Sequence, residues 1–160
     1  MKIEISIKEQ QLRLLDDQGN LLADYPVSTA FKGAGEQKNS YCTPRGAHLV
    51  RAKIGKDAPI NSVFRGRRAT GEIWTPELGV QHPDRDWILT RILWLSGCEP
   101  GFNRLGNVDT MQRYIYIHGT PYVRSIGRPD SHGCIRMRSE DVIELFDRVP
   151  VGTSVLITDA

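Results

Sequence analysis

The stretch that decides the fold is the first sixteen residues, MKIEISIKEQQLRLLD (1–16). Ile3, Ile5 and Ile7 alternate with Lys2, Glu4, Ser6 and Lys8, the period of two that gives a strand one apolar and one polar face. Gln11 to Asp16 reads as a second strand. Asp17, Gln18, Gly19 and Asn20 then supply residues that tolerate left-handed turn geometry, and Leu21 to Ser28 resumes an extended pattern. The chain opens as a β-meander, so a mainly β domain is expected.

The same reading extends outward. Phe31 to Tyr41 is rich in Gly, Lys, Glu and Asn and reads as an exposed loop. The turn Thr43-Pro44-Arg45-Gly46 leads into a strand over His48 to Ile54. Gly55 to Asp86, punctuated by glycines and prolines, predicts short strands joined by irregular loops. Trp87 to Leu95 and Arg113 to Ile117 carry the aromatic and β-branched content of core strands. Ser139 to Val149 is the one good helix candidate: Ser139 as cap, Glu140 and Asp141 at the positive end of the dipole, and Val142, Ile143, Phe146 and Val149 on one face. Pro150 stops it, and Thr153 to Thr158 closes the chain as a last strand. The expectation is a single domain over residues 1–160, mainly β, with one C-terminal α-helix before the final strand.

Composition narrows the function. Of 160 residues, 39% are hydrophobic and 25% charged, as in one globular domain. Twenty-one basic residues against nineteen acidic ones leave a net charge of +2. With no run of Lys and Arg to track a phosphate backbone, nucleic acid is not expected as a partner. No apolar run approaches the roughly 20 residues that span a bilayer, so no membrane association is expected either. Cys42, Cys98 and Cys134 form an odd, widely spaced set without a CxxC pair, which suits reduced thiols. The alternating start is unlike an export signal, and the expected location is the cytoplasm. A chain stripped of its signal would look the same, and the periplasm is then the alternative.

The chemistry concentrates in Tyr116-Ile-His-Gly-Thr-Pro121 and Ser131-His-Gly-Cys-Ile-Arg136. A thiol becomes a good nucleophile only when an imidazole or oriented N–H donors favour the thiolate, and Cys134 has both at hand. Gly133 allows the backbone to turn sharply and aim its own N–H and that of Cys134 at one site, suiting an oxyanion. His118, at the end of an apolar strand, is the better general-base candidate. Cys42 and Cys98 have no such surroundings and read as small packing residues. His48 and His82 read as surface or packing residues, and Trp74, Trp87 and Trp94 as core or cleft wall.

His118 with Gly119-Thr120, followed by Ser131-His132-Gly133-Cys134, a hydrophobic residue and Arg136, resembles the signature of L,D-transpeptidase catalytic domains, the YkuD superfamily. Weaker agreement extends through Tyr25-Pro26-Val27-Ser28-Thr29, the Thr43-Gly46 turn and the terminal helix and strand. Arg136 stands where many members have Asn, and Ala30 where a Gly usually follows Ser28-Thr29. The resemblance implies a β-sandwich-like fold and acyl transfer on peptidoglycan stem peptides or muropeptides. It also implies a thioester on Cys134 after loss of a terminal D-alanine from the L-centre of a diamino acid, usually meso-diaminopimelate. In such a site His118 is the base, oriented by a main-chain carbonyl such as that of Gly119. The N–H groups of His132, Gly133 and Cys134 form the oxyanion hole, Ser131 shapes the pocket and Arg136 holds a substrate carboxylate. Thr120, in the first segment, and Arg128, between the two segments, are further candidate substrate contacts by position. No cofactor and no metal is implied, and a monomer is expected.

Two other classes compete. His118, His132 and Cys134 could act as zinc ligands, although no HExxH pair or supporting acid accompanies them. A catalytically silent wall-binding module would keep the fold but has no need of His118 and Cys134. Between the two acceptors of an acyl-enzyme, the expected cytoplasmic location favours water. The leading expectation is an L,D-carboxypeptidase of peptidoglycan recycling, turning tetrapeptides into tripeptides, with L,D-transpeptidation as the alternative.

Overall fold

The computed structural model describes residues 1–160. Ten strands belong to one hydrogen-bonded sheet: β1 (Lys2–Ser6), β2 (Gln11–Leu15), β3 (Leu21–Pro26), β4 (Gly46–Ile54), β5 (Ser62–Arg65), β6 (Arg68–Ile73), β7 (Ile88–Gly97), β8 (Tyr116–Gly119), β9 (Ile135–Met137) and β10 (Ser154–Thr158). The helices are α1 (Pro76–Gln81) and α2 (Ser139–Arg148). The opening meander forms as read: β1 pairs antiparallel with β2, and β2 with β3. The last strand, β10, runs parallel to β1 and antiparallel to β4, so both ends of the chain meet in mid-sheet.

Strand β7 organises the rest. One edge pairs with β4 through Ile92–Gly97 and with β5 through Ile88 and Leu89, while the other edge receives β8. β9 then adds in parallel to β8. The sheet curls far enough for its two ends to meet: just beyond β3, Ser28 exchanges both backbone hydrogen bonds with Arg136 of β9, each 2.9 Å long. The inside of this curl holds a core of 20 buried hydrophobic side chains, among them Ile3, Ile5, Leu12, Leu14, Leu93, Leu95, Ile117, Ile135 and Met137. α2 packs against β7 and β8 and contributes Val142, Leu145 and Phe146 to that core. No helix is long and apolar enough to cross a membrane.

Three local expectations need correction. The strand read over Arg113 to Ile117 begins only at Tyr116, because Met111 to Tyr114 forms a turn. There Asp109 accepts the backbone N–H groups of Gln112 and Arg113, by its carboxylate and its carbonyl respectively, and Tyr114 takes a φ of 56°. Ser139 does not cap α2: the cap position falls on Arg138, and the Ser139 hydroxyl instead shares a 2.6 Å hydrogen bond with the Thr90 hydroxyl. The region read as strands and loops also contains α1, which begins at Pro76 and is capped by the Thr75 hydroxyl accepting the Leu78 N–H at 3.1 Å.

Candidate active site

The parallel pairing of β8 with β9 places the chemistry. Ile117 lies opposite Ile135, His118 opposite Arg136 and Gly119 opposite Met137. Side chains alternate across a strand, so Ile117, Ile135 and Met137 enter the core. Tyr116, His118, Cys134 and Arg136 share the other face, where all four line a cavity of about 490 Å³. Gly119 has to be glycine, since a Cβ there would stand 2.6 Å from the Leu89 carbonyl oxygen of β7.

The turn before β9 is held from several sides. Ser131 donates its hydroxyl to the Cys134 carbonyl at 2.6 Å and accepts the Gly133 N–H at 3.2 Å, while the Thr43 hydroxyl donates to the Gly133 carbonyl at 2.8 Å. Gly133 has a φ of 129°, in the left-handed region where L side chains are strained, and a Cβ there would approach the Cys42 carbonyl oxygen to 3.1 Å. Because the Gly133 N–H is taken by Ser131, it is not free for an oxyanion. The N–H groups of His132 and Cys134 have no acceptor within the protein, so the turn offers two donors where the sequence reading named three.

Cys134 Sγ accepts the Tyr116 N–H at 3.3 Å, and its thiol points to the Tyr114 carbonyl at 3.5 Å. Part of the residue stays open to the cavity, yet burial pushes the thiol up to about 12, more than the Tyr116 N–H and the neighbouring arginines pull it back. His118 is 1% exposed and holds Nδ1 2.7 Å from the Gly119 carbonyl oxygen. A carbonyl only accepts, so Nδ1 carries the proton and Nε2 keeps its lone pair. Burial lowers the imidazole below its usual range, partly offset by the charge of Asp86 and the Gly119 carbonyl. Both shifts favour the uncharged forms. Within the neutral imidazole, the bond from Nδ1 to Gly119 leaves Nε2 as the basic nitrogen.

Arg136 is 5% exposed and already carries two carboxylates, Asp86 at 3.4 Å and Asp130 at 3.5 Å. A substrate carboxylate would have to share or displace them. Ser131 and His132 line the cavity, the latter edge-on to Tyr41 with ring centroids 6.0 Å apart. Thr120 and Arg128 do not. Thr120 is buried with its hydroxyl accepting the Tyr122 N–H, and Arg128 is exposed outside the cavity wall. His118, His132 and Cys134 do not converge into a three-ligand cluster. Cys42 is half-buried, but Cys98 is exposed rather than packed. His48 is buried between the Gly46 carbonyl and the Thr110 hydroxyl, a packing role. Trp87 is a core residue beside half-buried Trp74.

Asp86, Arg67, Arg113 and Tyr114 line the cavity without having been singled out from the sequence. Strand order brings Arg67 and Asp86 to the motif, whereas Arg113 and Tyr114 stand just ahead of Tyr116 in the chain, at the start of the stretch read as a strand.

The chain matches the L,D-transpeptidase catalytic domain family, YkuD, over residues 1–157. It is 33% identical to the probable L,D-transpeptidase YbiS of Escherichia coli K12 across 129 residues, 74% of this chain and 41% of that protein. It is 53% identical to the probable L,D-transpeptidase ErfK/SrfK of Salmonella typhimurium, again across 74% of this chain and 40% of the relative. The chain thus spans about two fifths of the length of these relatives. Among solved structures, an L,D-transpeptidase from Mycobacterium smegmatis superposes with a TM-score of 0.57 at 21% identity, covering 98% of this chain and 57% of that one. L,D-transpeptidase 3 from Mycobacterium tuberculosis, in complex with a faropenem-derived adduct, gives 0.59 at 19% identity, covering 98% and 59%. These two likenesses concern the fold, and the curled sheet with its main helix before the last strand is the fold they share. With the family matched over nearly all of its length, this chain belongs to the L,D-transpeptidase catalytic domain family.

Proposed function

We propose that the chain is a cysteine L,D-carboxypeptidase that removes the terminal D-alanine from peptidoglycan stem tetrapeptides. The observation that carries the chemistry is the fixed tautomer of His118, Nδ1–H on the Gly119 carbonyl, in the same cavity as the Cys134 thiol. On attack, Sγ bonds to the scissile carbonyl carbon as its proton passes to His118 Nε2. The oxyanion is received by the N–H groups of His132 and Cys134. Collapse breaks the C–N bond, and the amine of the departing D-alanine takes the proton from His118. Water then gives its proton to Nε2 and its hydroxyl to the thioester, the C–S bond breaks, and the proton returns to sulfur.

Water as the acceptor is supported by the charge of the cavity wall, where Arg67 and Arg113 form no ion pair and Arg136 is shared by Asp86 and Asp130. Such a wall attracts an anionic peptide end and resists the ammonium group that an amine acceptor brings. The names of the relatives favour the second reading, L,D-transpeptidation, in which a second stem peptide takes the acyl group. Incubation with a monomeric disaccharide tetrapeptide, followed by mass spectrometry of the products, separates the two. Free tripeptide is the expected product. Crosslinked dimers, or exchange with an added D-amino acid, without tripeptide would overturn the carboxypeptidase reading.

A further inference from the structure

Three arginines line the cavity, and two are committed elsewhere. Arg113 donates to the carbonyls of Gly35, Glu36 and Cys42 and to the Ser40 hydroxyl, and Arg136 sits between Asp86 and Asp130. Arg67 differs. It forms no ion pair, and its guanidinium makes one hydrogen bond, from Nη1 to the Tyr116 hydroxyl at 3.0 Å. The same guanidinium lies 4.9 Å from the ring centre of Trp94 and 4.8 Å from that of Tyr114. Three aromatic residues therefore hold a cation with most of its donors unspent, beside the residue whose N–H contacts Cys134 Sγ.

The backbone presents Arg67 deliberately. Gly66 and Arg67 form the two-residue turn between β5 and β6, with φ of 56° and 63°. Two consecutive positive φ values define the tight primed hairpin turn, which suits glycine at the first position but strains arginine at the second. A strained, half-buried cation pinned on aromatic rings is a pre-organised fork for a planar anion, and a carboxylate matches it in two parallel hydrogen bonds.

We propose that Arg67 is the carboxylate-recognition residue of this site and determines its preference for a donor peptide with a free carboxylate beside the scissile bond. The proposal rests on the stem-peptide reading above. A stem tetrapeptide carries two such groups, the terminal carboxylate of the leaving residue and the side-chain carboxylate of the diamino acid.

The test compares the tetrapeptide with two analogues, one amidated at its C-terminus and one at the diamino-acid side chain. It uses the full chain, Arg67→Ala and Arg67→Gln, the glutamine keeping part of the aliphatic stem and an uncharged N–H donor should the alanine variant fold poorly. The wild type should lose roughly 10- to 100-fold in kcat/KM on one of the amides, mainly through KM, the scale of a lost charge-assisted pair. The amide that shows the loss identifies the carboxylate. Both variants should handle the acid as poorly as that amide, so the discrimination disappears, which a merely structural role for Arg67 would not produce. Variants that discriminate as the wild type does would overturn the role of Arg67 and leave the proposed function standing. No turnover of any of the three peptides by the wild type would overturn both.

Discussion

His118 Nδ1 donates to the carbonyl of the next residue, Gly119, at 2.7 Å, so the imidazole is oriented by main chain and no carboxylate is needed. The Gly119 carbonyl is itself fixed by the sheet, because Gly119 lies against the Leu89 carbonyl of β7, too close for any side chain. The tautomer, and with it the free lone pair on Nε2, is thereby built into strand pairing.

The protonation states lead to a first prediction. With the thiol pushed up to about 12 and the imidazole held below its usual range, no preformed thiolate is expected at neutral pH. Alkylation of Cys134 by iodoacetamide, read on its own peptide by mass, should be slow at neutrality and climb with pH into the alkaline range. The base works when neutral, so the acid limb of kcat/KM should fall below the usual histidine value of 6.5. An alkylation rate already at its plateau by neutral pH would contradict this.

Asp86 raises the pKa of both members of the pair and neutralises Arg136. In Asp86→Asn, the imidazole loses a stabilising charge and its protonation moves to lower pH. The acid limb of kcat/KM should shift downward, and the thiol should ionise more readily. A pH profile superimposable on that of the wild type would remove Asp86 from the electrostatics of the site.

Gly133→Ala puts a Cβ 3.1 Å from the Cys42 carbonyl oxygen, on a backbone with a φ of 129°. The cost should be roughly 1–3 kcal/mol of stability, measurable by urea denaturation. Because the same turn aims the N–H of Cys134, acylation should drop more steeply than stability does. Wild-type rates in a folded Gly133→Ala protein would show that the turn does not set the donor geometry.

Ser131→Ala removes the 2.6 Å bond to the Cys134 carbonyl and releases the Gly133 N–H. The loosened turn should cost about 10-fold or more in kcat with a smaller change in KM, if oxyanion donors rather than substrate contacts are disturbed. A change confined to KM would assign Ser131 to substrate binding instead.

The legible part of this protein is what neighbouring residues encode. The alternation of Ile3 and Ile5 is carried out in β1, which ends at Ser6 so that Ile7 falls in the following turn, and the turn before Cys134 could be read because Ser131, Gly133 and Cys134 act within four residues. The wall opposite was not legible. Arg67 arrives on the β5–β6 hairpin and Asp86 on the segment before β7, each placed by pairing across β7 rather than by any period in its own sequence. Thr120 and Arg128 show the converse. Closeness in sequence to the motif made them candidates, but one is buried with its hydroxyl on the Tyr122 N–H and the other is exposed outside the cavity wall. The helix at Pro76 did carry its signal, Thr75-Pro76-Glu77, which a six-residue element among glycines and prolines easily hides.

The most direct measurement is the intact mass of the protein after brief incubation with a stem tetrapeptide and acid quench. The wild type should carry an adduct equal to the tetrapeptide less its terminal D-alanine, mapped to the peptide containing Cys134. His118→Ala should accumulate it far more slowly, and Cys134→Ala not at all. Tetrapeptide turnover by Cys134→Ala, or an adduct on Cys42 or Cys98 in place of Cys134, would contradict the assignment of Cys134 as nucleophile and His118 as its base.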